Sequence, residues 1–222
     1  MYCRDIQPVA GIAPAALVEK LRDAVRAEVA RQIHAPFSGK IDVETASDGE
    51  TLRGYFRQVT ISAENLRVGD GESGHLPLVV QELRCELSGL TVNPYRLRDG
   101  ELELLSLEEL VPHLLLREED VNIWLSGQGQ LSAQVAFRDG AIRATMRRPR
   151  WPAIEITAVP EIVAESNIGL RFRQLRVAGV PFPTFLLSLP ASAYNPILKQ
   201  MPCRIRFAEL RCENGTLLIS GN

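Results

Sequence analysis

The side chains of this 222-residue sequence whose types most readily catalyse reactions or bind metals fall into no recognised constellation. Three are histidines: His34 at the end of a helical pattern, His75 in the glycine-rich stretch GDGESGHLP, and His113 inside an apolar strand. None has a second His or a Cys at metal-ligand spacing. The four cysteines, Cys3, Cys85, Cys203 and Cys212, form no CxxC pair and no disulfide framework, so they read as small hydrophobes. GxSxG, P-loop and GxGxxG motifs are absent from the sequence. The glycines at 69, 71 and 74 are followed by Leu-Pro and a strand rather than a phosphate-binding helix, which makes this stretch a solvent loop. Glu108-Glu109 and Glu118-Glu119-Asp120 have the chemistry of acid/base pairs, but a hydrated strand edge and a helix N-terminus account for them more simply. The expectation is a protein that is not an enzyme and needs neither cofactor nor metal.

Two stretches stand apart from a generic core. In MRRPRWP, Arg147, Arg148 and Arg150 flank Trp151 among prolines that keep the backbone irregular. Guanidinium groups beside an indole suit a phosphate headgroup or a membrane interface; an exposed edge whose charges deter aggregation is the plainer alternative. In VAGVPFPTFLLSLP, Phe182, Phe185, Leu186, Leu187 and Leu189 form a dense apolar segment that prolines keep from being a regular helix. It suits a lid over an apolar space, or else a buried cap on the core. Net charge is -2, yet residues 141–222 carry eleven basic against five acidic residues, a net +6 that leaves -8 for residues 1–140. Such asymmetry points to an anionic partner for the C-terminal part, or to mutual neutralisation of the two parts. With negative net charge and no aromatic-basic sheet motif, nucleic acid is not an expected partner.

These residues must be positioned by a mostly β chain. Between Pro14 and Ala35, Leu17, Leu21, Val25, Val29 and Ile33 recur every four residues, the pattern of a one-sided amphipathic helix with Pro14 in its first turn and Pro36 past its end. Beyond Phe37 the apolar period becomes two, giving about eleven strand segments. A helix over Glu118–Leu125 and a proline-broken helical segment over 183–201 interrupt them. Asp139-Gly140 predicts a hairpin pairing Phe137 with Ile142, Val135 with Ala144 and Ala133 with Met146. Asn214-Gly215 predicts Cys212 against Leu217 and Leu210 against Ile219. Asp99-Gly100 predicts Leu97 against Leu102 and Tyr95 against Leu104. In four places the apolar phase slips by one residue: Ala63 to Leu66, Leu104 to Leu105, Phe172 to Leu175 and Phe207 to Leu210. Each slip marks an expected β-bulge, and bulged strands coil a sheet. A coiled sheet needs an apolar filling: the first helix, the 183–201 segment, or a lipid. No apolar run reaches about 18 residues, the length of a membrane-spanning helix. The first residues lack a basic start and an apolar core, so no signal peptide is expected, and a cytoplasmic or peripheral location follows unless an exported form is trimmed.

Four stretches set an order of elements over roughly residues 40–222: LPLVVQELRCELSGLTVNPYRLRDGELELL, LLLREEDVNIWL, QLSAQVAFRDGAIRATM, and a tail in which VPFPTFLLSLPASAYNPILKQM precedes a hairpin ending in Gly. In these stretches the chain resembles the LmeA-like phospholipid-binding family of bacteria. The resemblance implies a phospholipid-binding protein with a fold akin to tubular lipid-binding proteins, and it supplies no catalytic residue. The expected architecture is a single α+β domain over 1–222. Its long, highly curved antiparallel sheet wraps the 14–35 helix, with the proline-broken segment near the C-terminus. The expected function is non-catalytic binding or transfer of a phospholipid or other acyl lipid, with peripheral contact to a membrane surface. Acyl chains would lie against Phe182, Phe185, Leu186, Leu187, Leu189, Val25, Val29, Phe137 and Ile142. Arg147, Arg148, Arg150 and Trp151 would meet the headgroup or the membrane surface. The alternative is a protein-interaction module with a filled core and no ligand cavity.

Overall fold

The computed structural model describes residues 6–69, 76–127, 132–164, 167–183 and 204–221. Among these residues, four helices and thirteen strands follow in the order α1 (Pro14–Ile33), β1 (Lys40–Glu44), α2 (Asp48–Thr51), β2 (Tyr55–Val68), β3 (Leu78–Val92), α3 (Pro94–Arg98), β4 (Leu104–Ser106), β5 (Glu109–Arg117), α4 (Glu118–Ser126), β6 (Ser132–Arg138), β7 (Ala141–Arg147), β8 (Ile154–Ala164), β9 (Asn167–Val177), β10 (Val180–Phe182), β11 (Arg204–Ile205), β12 (Glu209–Glu213) and β13 (Thr216–Ser220). The segment expected to be helical over 183–201 lies, apart from Pro183, outside the described residues.

Helix α1 follows from its sequence. Pro14 occupies the first turn, the apolar stripe faces inward, and His34 ends the helix in the left-handed conformation (φ 53°) while its N–H caps the carbonyl of Ala30. Leu17 and Leu21 are fully buried, with Ala24, Val25 and Ile33 beside them. Their partners are Ile41 of β1, Phe56, Val59, Ile61 and Ala63 of β2, and Val80, Leu90 and Val92 of β3. The helix therefore fills one face of these strands, while Arg22–Glu19 and Arg31–Glu28 pair on its exposed side.

Two sheets form where the sequence suggested one. The first runs β1-β2-β3-β5-β13-β12, with β4 on β3 and β11 on β5; the second runs β10-β9-β8-β7-β6. Apart from the short β11–β5 pair, the pairings among the described strands are antiparallel, and neither sheet closes on itself. The division falls at α4, which separates β5 from β6 and uses its own side chains to occupy the free edge of β6. Asn122 Nδ2 donates to the Val135 carbonyl at 2.9 Å, its Oδ1 accepts the Val135 N–H at 2.7 Å, and Glu118 Oε2 accepts the Phe137 N–H at 2.9 Å. Residues four apart on a helix rise about 6 Å, close to the roughly 6.8 Å between strand residues two apart, so Glu118 and Asn122 match the edge of β6 as a strand would. Two of the three turns recognised in the sequence then lock the sheets together. Gly140 N–H donates to the Cys212 carbonyl and Gly215 N–H to the Phe137 carbonyl, each at 2.9 Å.

The Asp139-Gly140 and Asn214-Gly215 hairpins have the registers expected of them. The Asp99-Gly100 hairpin does not form. Asn93-Pro94 starts the short helix α3, with Asn93 Oδ1 accepting the N–H groups of Tyr95 and Arg96, and Leu97 turns into the α1 core. Leu104 pairs with Val92 instead. Of the four phase slips, the one from Phe172 to Leu175 is a bulge: Thr157 opposes Gln174 while Ala158 opposes Phe172, which leaves Arg173 as the extra residue. The slip from Ala63 to Leu66 keeps its register with β3, because Asn65 takes a left-handed conformation (φ 51°) and Leu83 and Val80 slip opposite it. The slip from Leu104 to Leu105 is also a bulge, inside β4: Val92 opposes Leu104 while Thr91 opposes Ser106, which leaves Leu105 as the extra residue. The slip from Phe207 to Leu210 falls between β11 and β12.

Candidate functional site

The second sheet presents an apolar face built by cross-strand register. Ala133, Met146, Ile154, Val177 and Val180 form one row across its five strands. Val135, Ala144, Ile156, Leu175 and Phe182 form the next, and Phe137, Ile142, Ala158 and Phe172 the third. Pro160 opposite Leu170 and Ile162 opposite Ile168 extend it along β8 and β9. Rows on one face repeat at roughly 6.8 Å along the strands, so three rows reach over about 14 Å. The bulge at Arg173 makes this continuity possible, since it returns Leu175 and Val177 to the face occupied by Phe172. The other face carries Arg143, Glu155, Arg171 and Arg176, with Arg143 bound to Asp139 and Arg171 to Glu161.

This face differs from the α1 core in how it is covered. None of its side chains belongs to the core that α1 fills. Phe137 and Ala158 are buried near the junction of the sheets, Ile142, Ile154, Ile156 and Leu175 are half-buried, and Val180 and Phe182 are exposed. Coverage thus falls away from the junction in both directions: toward the β7–β8 loop and the β9–β10 turn, and along β9 toward Leu170, which is also exposed.

The residues singled out in the sequence fall into separate places. Phe137, Ile142 and Phe182 share the second-sheet face. Val25 is buried in the α1 core and Val29 packs at its margin, so the structure does not bring these two together with the others. Phe185, Leu186, Leu187 and Leu189 lie outside the described residues. Arg147 ends β7, and Arg148, Arg150 and Trp151 form the exposed β7–β8 loop. A turn with Trp151 N–H on the Arg148 carbonyl (3.1 Å) and Arg150 in the left-handed region (φ 68°) shapes this loop. Sequence reasoning passed over Ile154, Ile156, Phe172, Leu175 and Val180. Their period-two alternation was visible, but strand neighbours and the bulge had to be known before they could be placed on one face.

The described polar side chains line two clefts. A cleft of about 720 Å³ on the first sheet is lined by Lys40, Ser62, Arg84, Glu82, His113 and Ser220, among others. There His113 Nδ1 lies 3.3 Å from Ser220 Oγ, and Nε2 lies 3.5 Å from Glu82 Oε2. Ser220 Oγ also lies 3.2 Å from the Gly221 carbonyl. A second cleft of about 890 Å³, at the junction of the sheets, is lined by Arg117, Glu118, Glu119, Arg138, Asp139 and Glu213. Burial pushes the Cys85 thiol up to about 11. Cys212, whose Sγ lies 3.1 Å from the Ala141 carbonyl, is likewise pushed up to about 11, chiefly by burial. Both are protonated at neutral pH and chemically quiet. Among the described residues, no three His, Cys, Asp or Glu side chains are placed to hold a metal ion, and no helix is long and apolar enough to cross a membrane.

The model of one protein family matches residues 10–222, nearly the whole chain, and its description is LmeA-like phospholipid-binding. No curated protein and no solved structure matches the chain significantly. The family match covers α1, both sheets and the apolar face between the β7–β8 loop and the sheet junction, and on that coverage the chain belongs to the LmeA-like phospholipid-binding family.

Proposed function

We propose that the protein binds one phospholipid without catalysis, its acyl chains lying on the apolar face of the second sheet, and that it carries the lipid between surfaces. The observation that supports this is the contrast between the sheets. The first has its apolar face filled by α1, whereas the rows through Ile142, Ile156 and Leu175 stand outside that core and are half-covered. An acyl chain laid across these rows, along the strands, removes its own surface and theirs from water. At roughly 0.8 kcal/mol per buried CH₂, a chain of about sixteen carbons gains on the order of 10 kcal/mol before the cost of ordering it. Arg147, Arg148 and Arg150 hold the phosphate by charge-assisted hydrogen bonds at the open end of the rows. The tails then run toward Phe137 and the sheet junction. No step in this scheme breaks a covalent bond.

Native mass spectrometry of the purified full chain, followed by lipid extraction, tests the proposal. A stoichiometric phospholipid adduct is expected in the parent and is expected to disappear in Leu175→Asp and Ile142→Asp. Protection of the Val59 amide, deep in the α1 core, reports that the first sheet is intact in these variants. A clean apo mass together with no uptake of fluorescent phospholipid refutes the reading and favours a protein-interaction module.

A further inference from the structure

The β7–β8 loop and the β9–β10 turn are separate in sequence but form one pole of the second sheet. Ala178 N–H donates to the Ala153 carbonyl at 2.8 Å, and Ile154 pairs with both Met146 and Val177, so the loops lie side by side. The pole carries Arg147, Arg148, Arg150 and Trp151 from the first loop, and Val180 and Phe182 from the strand after the second. Trp151 is 67% exposed, Val180 58% and Phe182 45%. Large apolar groups grouped this way at a single pole call for a covering surface.

The charges indicate what kind of surface this is. Residues 132–183 hold eight arginines against four acidic residues, a net +4, which leaves -6 on the remainder of the chain. Arg143 and Arg171 have carboxylate partners on the sheet, but no described carboxylate lies within 4.0 Å of Arg147, Arg148 or Arg150. Three guanidinium groups with no described carboxylate partner, around an exposed indole and two exposed apolar side chains, combine attraction to negative headgroups with affinity for the layer beneath them. We propose that this pole is the docking surface for a bilayer containing anionic phospholipid, with Trp151, Val180 and Phe182 entering the headgroup–acyl boundary while the arginines stay at the phosphate level. The inference rests on the lipid-binding reading for its purpose, since docking at this pole brings the open end of the apolar rows to the membrane.

The test uses the full chain with vesicles of phosphatidylcholine alone and of phosphatidylcholine mixed with phosphatidylglycerol. The parent is expected to co-sediment with the mixed vesicles, and less so as salt is raised. At about 1 kcal/mol for each basic residue near an anionic surface, Arg147→Ala, Arg148→Ala and Arg150→Ala together weaken partitioning roughly 100-fold. Val180→Asp with Phe182→Asp also weakens it. In a Trp124→Phe background, Trp151 emission is expected to be quenched by brominated acyl chains. Parent-like partitioning in both sets of variants, or unquenched Trp151, overturns the proposal, as does self-association through this pole with no vesicle binding. Native mass spectra of the same samples separate the two readings. Cargo without docking refutes the docking pole alone, whereas docking without cargo supports the pole and refutes the lipid site.

Discussion

Substituting Asn122 by alanine tests the device that divides the sheets. The Asn122 amide supplies both hydrogen bonds that a neighbouring strand would give Val135, at 2.7 and 2.9 Å, and Asn122 and the Val135 backbone are both partly buried. Two side chain–backbone hydrogen bonds at a net 0.5–1.5 kcal/mol each are worth about 2 kcal/mol. Alanine returns roughly 0.5 kcal/mol through its better helix propensity, so the expected loss is about 1.5 kcal/mol, more where water cannot reach the abandoned Val135 groups. Asn122→Asp is a sharper probe, because the carboxylate still accepts from the Val135 N–H but faces the carbonyl with a second acceptor. Urea unfolding gives the total change, and hydrogen exchange localises it. The Val135 amide should lose protection while Val59, in the first sheet, keeps it. Because uncapping leaves β6 with free edge groups, the alanine variant should also aggregate more readily. An unchanged urea midpoint with unchanged Val135 protection would refute the claim that α4 closes this edge.

Two further outcomes follow from burial. Leu21→Ala empties a fully buried site between α1 and the first sheet and should cost 2–5 kcal/mol in urea unfolding, while leaving the lipid stoichiometry of the surviving folded fraction unchanged. The raised Cys85 and Cys212 values give stability a pH dependence of definite sign. Between about 9 and about 11 the unfolded chain releases thiol protons that the folded chain keeps, so stability falls as pH rises through that window and the effect levels off above it. A Cys85→Val, Cys212→Ala variant should show a flatter fall over this range than the parent in thermal melts, and equal slopes would contradict the assigned burial effect.

Much of the local structure was legible in the sequence because it depends on short-range chemistry. The four-residue apolar period and Pro14 fix α1, the acidic run at 118–120 marks the start of α4, and Asp139-Gly140 and Asn214-Gly215 set two hairpin registers. Reading Asp99-Gly100 as a third hairpin failed because Asn93-Pro94 caps a helix immediately before it, and burying Leu97 against α1 outweighs strand pairing. A phase slip in the sequence was likewise ambiguous. It was a true bulge at Leu105 and at Arg173, a matched left-handed kink at Asn65, and a strand end between Phe207 and Leu210, because the outcome depends on what the neighbouring strand does.

The candidate site divides along the same line. Part of its chemistry was present in the sequence: an aliphatic composition, arginines beside Trp151, and a family likeness confirmed over residues 10–222. Which apolar residues share a face was not. Val25 and Phe137 are both apolar residues in period with their own elements, yet Val25 packs under the first sheet and Phe137 on the second. Periodicity gives each segment one apolar side but carries no information about which segments become neighbours. Long-range pairing, the α4 cap on β6 and the bulge in β9 decided that, and with it which surface α1 filled and which was left open.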